Sequence, residues 1–218
     1  MSAAEDRKAR LLAALAREPS PVRAQVETRD RMLLGVVAPL VALVLLLAVG
    51  VHLGSRPHGL VAGSMAAWGV LALVATAVAL QRGSSMLGPP RGWLLAAAVG
   101  VAPLLAITWF LLPWADVTAL APHSLTTDLS CFVMTGLLAA APLFAFLRVR
   151  REGDPLHPAL TGAAAGAAAG AWGAMLIDLH CDHIAPLHIL IGHVAPTLVL
   201  AAVGALLARR MLGVRREG

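Results

Sequence analysis

Six consecutive residues, Asp178-Leu179-His180-Cys181-Asp182-His183, bring one thiol, two imidazoles and two carboxylates into a chain dominated by Ala, Leu, Val and Gly. Thiolate and imidazole together are the donor set of Zn, Cd and Cu, and a thiol is also open to oxidation. The second cysteine, Cys131, lies in Asp-Leu-Ser-Cys (128–131), so each cysteine has an aspartate three residues before it. On a helix that spacing puts both side chains on one face. Two cysteines permit at most one internal disulfide. No Cys and His spacing here matches a closed structural-zinc pattern, and no paired zinc-binding histidines stand at helix spacing. Nor is there a nucleophile elbow or an intramembrane Ser/Lys pair, so the chain reads as a non-enzyme. Three readings of the cluster remain open. It is the satisfied polar edge of a helical bundle, a transition-metal site, or the surroundings of a haem for which His193 is the best single ligand.

Which reading applies depends on the elements that carry these residues. The 218 residues are 59% hydrophobic and 13% charged, with a mean hydropathy of +0.79, far from a soluble domain of this length. A spanning helix needs about 20 largely apolar residues. Six segments qualify, near 32–53, 60–80, 92–113, 127–147, 159–179 and 187–208, separated by stretches rich in Pro, Gly and charge. No strand-type alternation appears, which argues against a β-barrel. Residues 1–31 are too long, polar and acidic for a signal-peptide leader, so the first span reads as an uncleaved anchor. The fold class is therefore all-α: a six-transmembrane-helix bundle (32–208) between a cytoplasmic N-terminal segment (1–31) and a basic tail (209–218).

Basic residues near a span stay on the cytoplasmic side. Sixteen of the 17 Lys and Arg fall in the N-terminal tail, the second and fourth loops and the C-terminal tail; the other side holds only Arg56. Both termini are expected in the cytoplasm, and the +5 net charge reflects topology, with no direct nucleic-acid role. Seven of the eight histidines, with both cysteines, then lie at the outer ends of spans. No acidic residue falls at mid-depth of a span, which argues against ion or proton transport.

The fourth and fifth spans form a hairpin whose centre, near Gly153, places Cys131 and Cys181 at similar heights. Close packing would bring the thiols toward disulfide range or let them share one metal. Gly162, Gly166 and Gly170 at four-residue steps supply a small-residue ridge for such packing. In the tail, Leu11, Leu12 and Leu15 group on one side of an amphipathic helix, and Pro19 ends it. Ser20 and Pro21 suit the start of a second. So short a helix orders only against a partner, either the anionic leaflet or a protein.

Several features together resemble the NrsF-type anti-sigma factors of bacterial inner membranes. They are "LAALAREPSPVRAQ" before the first span, six spans with both ends inside, Cys131 at the start of the fourth, and "LHCDHIAPLHILIGHVAPTLVLAAVGALLARRML" at the end. The resemblance implies a multi-pass inner-membrane regulator whose N-terminal segment holds an extracytoplasmic-function sigma factor. It implies Cys131 and Cys181 as sensor thiols for heavy-metal or oxidative stress. On this reading His180, His183 and His188 are auxiliary ligands to a transient Zn, Cd or Cu ion, and Leu11, Leu12, Leu15, Pro21 and Val22 contact the sigma factor. The stretch after Cys181 departs from the family in its extra histidines and later proline. The reading from a different class is a metal- or haem-binding inner-membrane redox protein.

Overall fold

In a bilayer every backbone N–H and C=O must find its partner within the protein, and the helix satisfies them locally. The computed structural model of the chain describes residues 36, 39–48, 50, 56–81, 90–112, 124–151 and 157–212. The N-terminal segment with Leu11, Leu12, Leu15, Pro21 and Val22 lies outside the described residues.

The described residues form helices and no strands. The helices are α1 (Pro39–Ala48), α2 (His58–Leu80), α3 (Arg91–Phe110), α4 (Leu125–Arg151), α5 (Pro158–Ile177) and α6 (Pro186–Met211). α2 to α6 are long and apolar enough to cross a membrane; α1, Pro39–Ala48, is apolar but shorter. Five of the six expected spans thus appear at full length, and the residues on either side of α1 are only partly described. Proline opens α5 and α6 at the first helical position, where its missing N–H costs nothing and its fixed φ suits the helix.

α5 sits at the centre of the bundle, in contact with α2, α3, α4 and α6. It is 78% buried over its apolar window, against 28% for α2. The glycine ridge explains this position, although its main partner is α6 rather than the hairpin partner α4. A Cβ on Gly162 would collide with the Gly204 carbonyl, and one on Gly166 with the Leu200 carbonyl. Farther along, a Cβ on Gly170 would come within 2.6 Å of Thr197 Cα, and one on Gly173 within 2.5 Å of the Thr135 carbonyl of α4. Bare backbone on α5 therefore touches backbone on both neighbours, the close approach that small residues permit between membrane helices.

The two ends of the bundle differ chemically. At one end Arg150 Nη1 donates to the Gln81 carbonyl at 3.1 Å. At the other, Arg56 is buried and donates from Nη1 to Asp178 Oδ1 at 2.8 Å and from Nη2 to the Asp178 carbonyl at 2.6 Å. The Ser64 hydroxyl donates to the second carboxylate oxygen at 2.5 Å. The one basic residue on the histidine side is thus the counter-ion of a buried aspartate, which explains the exception in the charge pattern.

Replacing Gly166 with Leu should separate α5 from α6 and destabilise the protein by at least about 1–3 kcal/mol. Gly100→Ala, where a Cβ meets nothing within 4 Å, should be near neutral. Thermal unfolding in detergent micelles measures both; equal stability of the two variants would show that the α5–α6 contact is not a close one.

Candidate functional site: a buried thiol–imidazole centre

The C-terminal end of α5, the segment 178–185 and the first turns of α4 and α6 meet at the Arg56 end of the bundle. Cys131, one turn and a half into α4, and Cys181, just beyond α5, are both free thiols and both buried. Their sulfurs stand 3.9 Å apart. The hairpin geometry expected from the sequence therefore holds, with the thiols at one height and adjacent.

A chain of hydrogen bonds runs from the thiols into α6 and back to α4. Cys131 Sγ points its proton at Cys181 Sγ, and Cys181 Sγ lies 3.1 Å from His188 Nε2. His188 Nδ1 lies 2.6 Å from Asp128 Oδ1. Because a carboxylate only accepts, Nδ1 carries the proton and Nε2 presents its lone pair to sulfur. Asp128 thus sets the tautomer of His188.

The fourth member is His193, fully buried, with its ring 5.4 Å from that of His188 and 6.0 Å from Trp68. Among the described residues, neither of its ring nitrogens has a hydrogen-bond partner. The donor atoms of Cys131, Cys181, His188 and His193 all lie within 4.8 Å of one another.

The two histidines stand five positions apart, a spacing that in an α-helix turns side chains about 140° from each other. The helix avoids this by widening. Leu190–Val194 form a π turn, closed by an Ala195 N–H bond to the Leu190 carbonyl, five residues back. The cause is local. Pro196 has no N–H for the Gly192 carbonyl, and a proline ring crowds the carbonyl four residues before it. The Thr135 hydroxyl of α4, 2.9 Å from that carbonyl and 2.8 Å from the Cys131 carbonyl, shares its one proton between the two acceptors. Gly192 is equally constrained, since a Cβ there would sit 3.0 Å from Cys131 Cβ.

The other sequence-derived ligands lie outside this group. His180 Nδ1 donates to the Gly50 carbonyl at 2.9 Å, tying the segment to the glycine that follows α1 with φ 111°. His183 Nε2 lies 3.4 Å from Asp182 Oδ1 at a half-exposed position, its ring 5.3 Å from His188. The twin Asp-x-x-Cys motifs also diverge, because Asp128 orients His188 whereas Asp178 pairs with Arg56.

These observations define a class: a helical bundle of membrane-crossing dimensions closed around a buried thiol pair and two imidazoles. Within that class the chain belongs to the NrsF family, described as negative regulator of sigma F, whose family model matches residues 15–213. It is also similar to the "Probable anti-sigma-F factor NrsF" of Azospira oryzae, at 36% identity over 83 residues. That match covers 38% of this chain and 39% of the relative, so the chain spans about two fifths of the relative's length in the alignment. No solved structure matches the chain.

The Thr135 hydroxyl can be removed without touching a donor atom. Thr135→Val should leave the Gly192 carbonyl unbonded and destabilise the protein by about 1–3 kcal/mol, whereas Thr135→Ser should remain near wild type. Unfolding in micelles distinguishes them, and equal stability of Val and Ser variants would remove Thr135 from the account of the π turn.

Proposed function

We propose that the protein is an anti-sigma factor of the bacterial inner membrane that holds an extracytoplasmic-function sigma factor through its N-terminal segment. On metal or oxidative stress at the thiol pair Cys131 and Cys181, it releases that factor. The observation that carries this reading is the family match, which begins at residue 15 inside the tail and ends at residue 213 beyond α6. The name of the Azospira relative, an anti-sigma-F factor, supports a sigma factor as the partner. The sixteen-to-one division of basic residues supports cytoplasmic termini and an outward thiol end. The 3.9 Å sulfur separation supports a sensor that acts as a pair, with His188 as the imidazole in contact with it and His180 and His183 on the same segment.

A haem-binding redox protein is the weaker reading. Axial haem ligands stand on opposite sides of a broad macrocycle, whereas the donors here crowd around a single point.

In the tail, Leu11, Leu12 and Leu15 are the apolar residues offered to the sigma factor, with Pro21 and Val22 after Pro19 in the sequence. Changing the three leucines to Asp should abolish repression of a sigma-dependent reporter, because unpaired charges are not accepted in an apolar groove. Full repression by the triple variant at normal membrane levels would put the sigma contact elsewhere.

For the thiols, Cys131→Ser and Cys181→Ser should each remove the response to Cd or oxidant as completely as the double variant, since groups acting as one unit are strongly non-additive. Reporter activity across the four proteins provides the test. Wild-type responses in all three variants would end the sensing role.

A further inference from the structure

We propose that Cys131, Cys181, His188 and His193 form a closed tetrahedral site for a thiophilic divalent ion of the Zn2+ and Cd2+ class, with Asp128 as its outer-sphere carboxylate. This deepens the sensing part of the function proposed above and is independent of the sigma contact.

Donor geometry is the first support. Tetrahedral zinc with Zn–S near 2.3 Å and Zn–N near 2.0 Å places sulfurs about 3.8 Å apart and sulfur and nitrogen about 3.5 Å apart. The sulfurs here are 3.9 Å apart, Cys181 Sγ and His188 Nε2 are 3.1 Å apart, and all four donors fit within 4.8 Å. A disulfide would need the sulfurs at about 2.05 Å; the 3.9 Å of the thiol–thiol contact is instead compatible with two ligands on one ion.

His193 is the second and independent support. A buried polar group without a partner is costly, and among the described residues neither nitrogen of the fully buried His193 ring has a hydrogen-bond partner. The α6 helix widens into a π turn that puts this ring beside His188. An ion at the centre of the four donors supplies a partner for one of these two nitrogens.

Electrostatics is the third. Binding releases one proton from each thiol, so a divalent ion with two thiolates and two neutral imidazoles carries no net charge. Such a centre can be buried without the cost of an isolated ion. The bond from His188 Nδ1 to Asp128 is the carboxylate–histidine–metal arrangement that fixes the ligand tautomer and raises its basicity. Four protein donors leave no open position, which suits a structural or regulatory ion and excludes a catalytic one.

The test uses the full-length protein purified in detergent micelles, stripped with chelator under reducing conditions and titrated with Zn2+, then with Cd2+ and Co2+ as spectroscopic probes. One ion per chain is expected, with cadmium–thiolate ultraviolet absorption, the visible bands of tetrahedral cobalt and a raised melting temperature. His193→Ala and the closer-sized His193→Gln should each weaken Cd2+ binding at least about tenfold, Asp128→Asn by about 10- to 100-fold, and Cys131→Ser should abolish the cobalt spectrum. His157→Ala, at the other end of the bundle, should bind as wild type. Circular dichroism confirms that each variant is folded. Should the His193 variants prove unfolded, the extended X-ray absorption of cadmium in the wild-type protein decides, with two sulfur and two nitrogen neighbours expected. Octahedral cobalt, undiminished binding by folded His193 variants, or loss on His183→Ala instead would overturn the site. Failure here with leucine-dependent repression intact would reject the metal centre and leave the anti-sigma reading standing; the reverse result would do the opposite.

Discussion

The carbonyl of Gly192 is the constraint around which the thiol end is arranged. Pro196 cannot donate to it, so the helix opens and a hydroxyl from another helix must fill the place. Because that hydroxyl belongs to Thr135, one turn beyond Cys131 and bonded to its carbonyl, the repair of α6 fixes the distance between α4 and α6. The same widening swings His193 onto the side of His188. A single missing N–H thus determines the register of both imidazoles and the spacing of the helices that carry Cys131 and His188.

Two polar networks lie side by side at this end and do different work. Arg56, Asp178 and Ser64 form a charge-paired cluster with no solvent exposure to speak of, and removing one partner of such a pair strands a buried charge at a cost of about 3–5 kcal/mol. The Asp128–His188–Cys181–Cys131 chain is instead made of titratable groups, among them the thiol and imidazole types that suit soft ions. Asp178 is three residues from Cys181, so the charge-paired network anchors the segment that carries Cys181.

Much of this was legible in the sequence. Apolar length located five full helices to within a few residues, and counting along the hairpin put Cys131 and Cys181 at one height. His193 was legible only as a haem ligand, because a spacing of five residues fails every α-helical test for paired ligands. The available signal was the proline four residues after Gly192, which marks where the 3.6-residue period stops applying. Other pairings, Arg56 with Asp178 and Asp128 with His188, join residues 122 and 60 positions apart, and no local pattern encodes such contacts. The glycine ridge was visible as a packing surface, but its partner was not, since a small-residue face fits any neighbour with a matching groove. The tail residues lie outside the described part of the chain and stand on the sequence alone.

The makeup of α5 has an entropic consequence. Its buried surface is chiefly glycine and alanine, which have no side-chain rotamers to lose on packing. Leucine or methionine at the same positions would each surrender conformational freedom and could settle in more than one arrangement. Between α5 and α6 the relative position is instead dictated by main chain against main chain, where alternative rotamers do not exist. The central helix therefore acts as a ruler with very little play, and the separation between the segment bearing Cys181 and the helix bearing both imidazoles inherits the stiffness of the backbone itself.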